Sequence, residues 1–278
     1  MTRAESTIAF PADATNVRGG LLAPLRELFT FGEVLQELVK RDLKVRYKRS
    51  VLGILWTMLN PLLMMIITSI VFSSLFRNTI TNFPVYVFSG YLVWTFFSQA
   101  TVSASSSILD SAGLTRKVYV PASLFPLACI AAGLINLALA VIPLCLLMLV
   151  TGAPLSWAII ILPFSAVLLG LFAYGVGLVL SAAAVFFRDA VYTYQVVLVA
   201  WMYLTPLFYP EQIIPERWRL LLYLNPVYYM VQLFRQPIYS GVLPDALTLI
   251  AAILFTVVAL GLGWWFFDSS RKRFVAYL

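Results

Sequence analysis

The chain has 278 residues, 62% of them hydrophobic and 11% charged, with a net charge of +7, two cysteines and no histidine. A soluble domain carries about 25% charged residues, so this composition excludes a water-soluble core and points to lipid as the solvent. The lack of histidine excludes Ser-His-Asp catalysis, histidine metal sites and histidine proton relays.

Residues 1–28 are expected to form a cytoplasmic tail, broken by Pro11, Gly19, Gly20 and Pro24, with no apolar stretch of the kind a cleavable leader needs. Thr30 followed by Glu33 fits a capping box, and Phe31, Val34, Leu35, Leu38 and Val39 then recur at helical spacing. This predicts an amphipathic helix over 30–49, lying on the inner membrane face. Lys40, Arg41, Lys44, Arg46, Lys48 and Arg49 crowd its end. Two readings stand for it: a positive-inside anchor, or a docking surface for a cytoplasmic partner.

No charged residue follows until Arg77, which predicts a first span over 53–76, kinked at Pro61. After a short outside loop, a second span is expected over 84–106. Tyr91, Trp94, Ser98, Thr101 and Ser105 fall on one face of it at alternating spacings of three and four. Small hydroxyls let membrane helices pack closely; the same stripe would also line a path for something hydroxyl-rich. Both readings remain open on these residues alone.

The segment DSAGLTRKVYVPA (110–122) returns to the cytoplasm with Arg116 and Lys117. The uncharged run from Val118 to Phe187 then fits two spans, 123–150 and 158–186, around a Gly, Pro and Ser turn at 151–157. Cys129 and Cys145 fall in the first of these, roughly 24 Å apart along one helix, and cannot pair within it. Arg188 and Asp189 mark the cytoplasmic boundary before a fifth span over 191–209, ended by Pro206 and Pro210. It carries a weaker stripe of Tyr194, Leu198, Trp201, Thr205 and Phe208.

Residues 216–239 read as two short helices broken at Asn225-Pro226, each too short to cross. A re-entrant hairpin would have to be covered by protein or water. Helices lying flat in the headgroups would make an aromatic belt of Trp218, Tyr223, Tyr228 and Tyr229. A sixth span over 246–267 leads to Arg271, Lys272 and Arg273. Fifteen of the nineteen cations fall in the segments this scheme puts inside. That asymmetry supports six spans with both ends cytoplasmic, and it accounts for the basic balance without nucleic acid.

No ionisable residue lies deep in any of these spans, which argues against proton-coupled carriers and voltage sensors. None of the five lysines follows a glycine, so no phosphate-binding loop of the P-loop type is present. The chain builds a path and carries no engine. A pore needs none; an active exporter needs a partner that hydrolyses nucleotide.

RDLKVRYKRSVLGILWTMLNPL (41–62) resembles the opening of ABC-transporter permeases that export polysaccharides, O-antigens, capsules and teichoic acids. LTRKVYVPASLFPLA (114–128), VFFRDAVYTYQ (185–195), TPLFYP (205–210) and LNPVYYMVQLFRQPIYSG (224–241) resemble later stretches of the same family, in order. The resemblance covers about residues 29–273, as one transmembrane permease domain over 29–278. One departure is Val120-Pro121-Ala122, where relatives often have Phe-Pro-Arg.

The resemblance implies an all-α permease of the bacterial cytoplasmic (inner) membrane, working as a homodimer with two separate ATP-binding subunits. ATP and Mg would sit on the partner, with no cofactor or metal on this chain. It implies contact with the ATPases through Glu37, Arg41, Lys44, Arg46, Asp110, Arg116 and Lys117. A lipid-linked glycan would pass Tyr91, Trp94, Ser98, Thr101, Tyr194, Trp201, Thr205 and Phe208. Trp218, Tyr223, Tyr228, Tyr229 and Phe234 would form an outside gate. The competing readings are a same-class permease for a drug, haem or a lipid, and a membrane scaffold or glycan-modifying enzyme.

Overall fold

The computed structural model describes residues 31–48, 50–76, 80–115 and 120–277. The tail at 1–28, Thr30 of the expected capping box, Arg116 and Lys117 lie outside them. The described residues form helices and no strand: α1 (Gly32–Tyr47), α2 (Trp56–Phe76), α3 (Phe83–Asp110), α4 (Ala112–Thr115), α5 (Leu124–Thr151), α6 (Leu162–Phe186), α7 (Asp189–Leu204), α8 (Glu216–Tyr223), α9 (Pro226–Arg235) and α10 (Ala246–Tyr277). Short 3-10 turns precede α2 and α6, and a π turn, Gln236–Ser240, follows α9.

Among the described residues, three segments combine the length and apolarity to cross a bilayer: Leu124–Thr151, Trp157–Phe186 and Ala246–Arg271. Trp56–Val71 is a shorter apolar helix. The helices at the second and fifth predicted spans differ for separate reasons. α3 is long enough but carries Thr95, Ser98, Gln99, Thr101, Ser103, Ser105, Ser106 and Ser107. α7 runs for 16 residues, about 24 Å, against a hydrocarbon core of about 30 Å. It ends where Pro206 lacks the N–H that would continue the ladder.

α3 is the centre of the bundle. It packs against α2, α5, α6, α7 and α9, and Val85, Val87, Phe88, Val93, Phe97 and Ala104 are fully enclosed. Its hydroxyls bond back into the helix: Ser98 donates to the Thr95 carbonyl, Ser105 to Val102 and Ser107 to Ala104. This self-satisfaction lets a serine-rich helix sit inside an apolar bundle.

α6 and α10 meet backbone to backbone, through glycine. A Cβ built on Gly175 would lie 2.5 Å from the Ala259 carbonyl, and one on Gly263 would meet the backbone of Gly175. Without side chains at these two positions the backbones touch, which is how membrane helices gain dispersion contact in lipid. Gly133 likewise admits Ala100 and Phe96 of α3.

α1 begins after Phe31 with no side-chain cap. Its apolar side is covered by protein: Phe31 and Leu38 are buried with Val120, Leu124, Phe125 and Ala128 at the start of α5. Val120, in the tripeptide that departs from the family pattern, thus serves as packing under α1. The Tyr174 hydroxyl of α6 donates to the Ser123 carbonyl at 3.3 Å and fixes that corner.

The outer hairpin is asymmetric. α9 lies inside the bundle against α3, α6 and α10, with Val227, Met230, Val231 and Leu233 at zero exposure. α8 buries only Leu222, leaving Trp218, Leu220, Leu221 and Tyr223 exposed. One arm of the hairpin is therefore covered by protein, as a re-entrant segment requires, and the other is not.

Candidate translocation path and gate

At one end of the bundle, α1 presents Glu37, Arg41 and Lys44 on one side by their four- and three-residue spacing. Glu37 pairs with Lys40 at 2.7 Å, both well exposed, so the pair adds little stability. Arg41 reaches Asp42 at 3.0 Å and the Ser111 hydroxyl at 3.5 Å. The Asp42 carboxylate also accepts from the Cys129 thiol at 3.5 Å. Asp110 accepts from Ser106 at 2.7 Å. These groups surround a cavity of about 590 Å³ beneath α1, lined by Arg41, Asp42, Ser103, Ser106, Asp110 and Cys129. Two expected coupling residues, Arg41 and Asp110, therefore meet at one opening, and Lys44 stays exposed. Arg46 belongs to α1.

In the middle, the Thr101 hydroxyl donates to the Phe97 carbonyl at 2.6 Å and lies 2.8 Å from the Tyr194 hydroxyl. With the threonine proton engaged, Tyr194 is the donor to it. Thr101 has no exposed surface and Trp94 almost none. The Trp94 ring lies 6.1 Å from Phe97, which stacks on Phe172 and meets Trp201 edge-on at 5.4 Å. Ser98 is half-buried. Tyr91 lies 6.3 Å from Phe208. The predicted stripe thus turns Trp94 and Thr101 into the subunit's own seam between α3 and α7.

At the far end of the bundle Asn225 joins α7 to the hairpin. Its side-chain carbonyl accepts from Trp201 Nε1 at 2.8 Å and from the Val227 N–H at 3.0 Å. Its amide donates to the Thr205 hydroxyl at 2.9 Å. Trp201 and Thr205, expected on the path, are held by this residue. The Asn225-Pro226 pair reads in the sequence as a helix break; its use as a knot needs α7 beside it.

The second outer contact is one the sequence reading missed. Arg235 is 3% exposed. Its guanidinium donates to the Tyr86 hydroxyl at 3.0 Å, the Pro206 carbonyl at 2.8 Å and the Leu207 carbonyl at 3.2 Å. Its Nε is buried with no hydrogen-bond acceptor. Burial pulls the guanidinium down from its ordinary value, opposed by Tyr86 and Glu211; arginine nonetheless stays charged. The available signal was a lone cation in an aromatic helix, between Phe234 and Gln236.

Of the expected gate residues, Tyr228, Tyr229 and Phe234 are buried on α9, while Trp218 and Tyr223 are exposed on α8. Tyr228 donates to Glu211 at 2.7 Å; burial, and then this carboxylate, push its hydroxyl pKa up. The Tyr229 hydroxyl donates to the Tyr223 carbonyl at 3.0 Å and closes the two arms together. Arg217 lies 5.7 Å over the Trp218 ring. Among the described residues no three Cys, Asp or Glu groups cluster as metal ligands.

Residues 33–239 match the family described as ABC-2 type transporter. The chain is 33% identical over 252 residues to the O-antigen export system permease protein RfbA of Myxococcus xanthus, covering 90% of this chain and 97% of that protein. It is 28% identical to an RfbA of Klebsiella pneumoniae, over 88% of this chain and 95% of the relative. It is 23% identical to the polysialic acid transport protein KpsM of Escherichia coli, over 82% and 90% respectively. With its apolar spans and its match over most of its length, this chain belongs to the ABC-2 type transporter family of membrane permeases.

Proposed function

We propose that this chain is the channel-forming subunit of an ATP-driven exporter that moves lipid-linked polysaccharide across the bacterial cytoplasmic membrane. The observation that carries this reading is the extent of the likeness to an O-antigen export permease, nine-tenths of this chain and nearly all of that one. Two copies work with two ATP-binding subunits. Six helices, α2, α3, α5, α6, α7 and α10, span, with both ends cytoplasmic. Single cysteines at Ser240 and Ser269 should label from the outside and the inside respectively; any other pattern breaks the scheme.

The ATP-binding subunits seat against α1 and the α3–α5 connection. α1 is suited to transmit their motion because Phe31 and Leu38 clamp it to the start of α5, and Arg41 bridges towards Ser111 beyond α3. The mechanical stroke would reach α3, whose opposite end carries Tyr86 and through it Arg235 of the hairpin. ATP and Mg belong to the partner; this chain supplies the path and its outer closure.

The reading is tested by purifying the chain with its ATP-binding partner and assaying proteoliposomes for ATP-dependent movement of a lipid-linked glycan. Movement that requires ATP is the expected result. A stable complex that hydrolyses ATP and moves no glycan would refute the substrate class. Arg41→Glu with Lys44→Glu should leave the permease in the membrane and uncouple hydrolysis from export.

A further inference from the structure

Three cavities open along one side of α3 and share residues end to end. The innermost, about 320 Å³, lies between α2, α3 and α5, with Trp56, Asn60, Thr95, Gln99 and Asn136 on its wall. The next is a shallow, open depression lined by Ser98, Gln99, Val102 and Ser103 of α3 and Gln195 of α7. The third is the cytoplasmic cavity beneath α1, to which Ser103, Ser106 and Asp110 contribute. Gln99 belongs to the first two, and Ser103 to the last two.

Thr95, Gln99, Ser103, Ser106 and Asp110 recur at spacings of four, four, three and four, so they occupy one face of α3. At the helical rise that face is about 22 Å long. It is one residue, roughly 100°, round the helix from the Trp94, Thr101 and Ser105 stripe, whose members are buried in the subunit. The open polar face of α3 is therefore centred away from the face the periodicity singled out, although Ser98 of that stripe also borders the second cavity.

The chemistry of the two inner cavities is uncharged. Their walls offer the carboxamides of Asn60, Gln99 and Gln195 and the hydroxyl of Ser103. Thr95 Oγ1 is buried with no protein partner. A carboxamide has two donors and an acceptor oxygen, which suits a sugar hydroxyl that both gives and takes a hydrogen bond. Trp56, half exposed at the rim, adds a ring face of the kind that covers the apolar side of a sugar. Hydrocarbon offers such a lining nothing to bond. Ionised side chains, Arg41, Asp42 and Asp110, line only the cytoplasmic cavity.

We propose that the Thr95, Gln99, Ser103 and Ser106 face of α3 is the track along which the neutral, hydroxyl-rich rings of the polymer slide. The glycan comes in from the cavity beneath α1 and passes Gln99 where the two inner cavities join. This rests on the exporter reading above. Spaced sites with a few hydrogen bonds each let a chain advance by one ring without ever releasing all its contacts.

The test uses the full-length chain in native membranes with Cys129 and Cys145 replaced by alanine. Single cysteines are introduced as Gln99→Cys, Ser103→Cys and Ser106→Cys, with Thr101→Cys and Ala104→Cys as controls on the buried sides of the same helix. A small charged methanethiosulfonate reagent should modify the first three at least tenfold faster than the controls; equal rates overturn the track. Oxidation that joins two copies through Gln99→Cys would assign the face to a contact between copies and also overturn it.

Gln99→Leu and Ser103→Phe should each slow ATP-dependent movement of a lipid-linked polymer of neutral hexoses at least tenfold, with the complex still assembled. Unaltered movement in both variants refutes the track and leaves the exporter reading standing. If the unsubstituted chain with its ATP-binding subunits moves no such polymer, the exporter reading fails and the track fails with it.

Discussion

The Arg235 guanidinium carbon lies 3.8 Å from the centre of the Tyr86 ring, and the same guanidinium donates to the Tyr86 hydroxyl. One side chain on α9 thus grips α3 by both its ring and its polar tip. Two further bonds, to the Pro206 and Leu207 carbonyls, reach the segment just past the end of α7. Those carbonyls have no helical partner to lose, so the cation satisfies groups that a helix end leaves over.

Arg235→Leu should therefore cost on the order of 2–4 kcal/mol, because it strands buried carbonyls and the Tyr86 oxygen without their donor. Gly90 packs against the same guanidinium, leaving no room there for a Cβ. Gly90→Ala should cost about 1–3 kcal/mol by overpacking, and most of that cost should vanish in the Arg235→Leu background. Thermal unfolding of the four proteins in detergent measures the coupling. Additive losses would show that the two sites are independent.

Asn225→Ala should destabilise by about 2–3 kcal/mol, since Trp201 Nε1 and the Val227 N–H both lose their buried acceptor. Tryptophan emission from Trp201 should shift as its N–H partner changes. A loss below about 0.5 kcal/mol would mean that water replaces the carboxamide without cost.

Thr101→Val and Tyr194→Phe should each cost about 1 kcal/mol, and the double variant hardly more than either. The reason is that Tyr194 donates to the Thr101 oxygen, so either substitution removes the same bond between α3 and α7. A double-mutant cycle on unfolding midpoints checks this. Fully additive losses would show that the pair contributes nothing as a pair.

Asp245 precedes α10 and accepts from the Thr248 hydroxyl at 2.6 Å, the Thr248 N–H at 3.1 Å and the Gln236 amide at 2.9 Å. The Thr248 hydroxyl, and then the Gln236 amide, hold this carboxyl below its ordinary value. A depressed carboxyl contributes stability that is complete above the unfolded value of about 3.9 and is lost as pH falls through the lower folded one. Melting temperature should drop in that acid window, and Asp245→Asn should flatten the drop. An unchanged profile in the variant would remove Asp245 from the acid response.

Much of the fold could be read from residue order because lipid imposes strong rules. The apolar runs at Leu124–Thr151, Trp157–Phe186 and Ala246–Arg271 are long enough that only a spanning helix suits them. The break at Asn225-Pro226 separates α8 from α9 as its local chemistry requires. The amphipathic repeat of Phe31, Leu35 and Leu38 marked the side of α1 that is covered.

The site was only half legible, and the reason is geometric. Periodicity tells which side chains share a face of one helix; it says nothing about what that face meets. Trp94 and Thr101 share a face, as the three- and four-residue spacing requires, yet α6 and α7 occupy the space before it. Thr95, Gln99 and Ser103, one residue on, are left beside the cavities because α7 buries only Tyr194 and Leu198. Arg235 shows the same limit from the other side. Counted along the chain it is an outside cation, and only the approach of α3 and of the Pro206 and Leu207 carbonyls makes it a buried clasp. Sequence by itself determined the solvent, the apolar helices and the family, because each depends on local order and composition. The phase of each helix against its neighbours was decided by tertiary packing alone, since it depends on side-chain volumes brought together from distant parts of the chain.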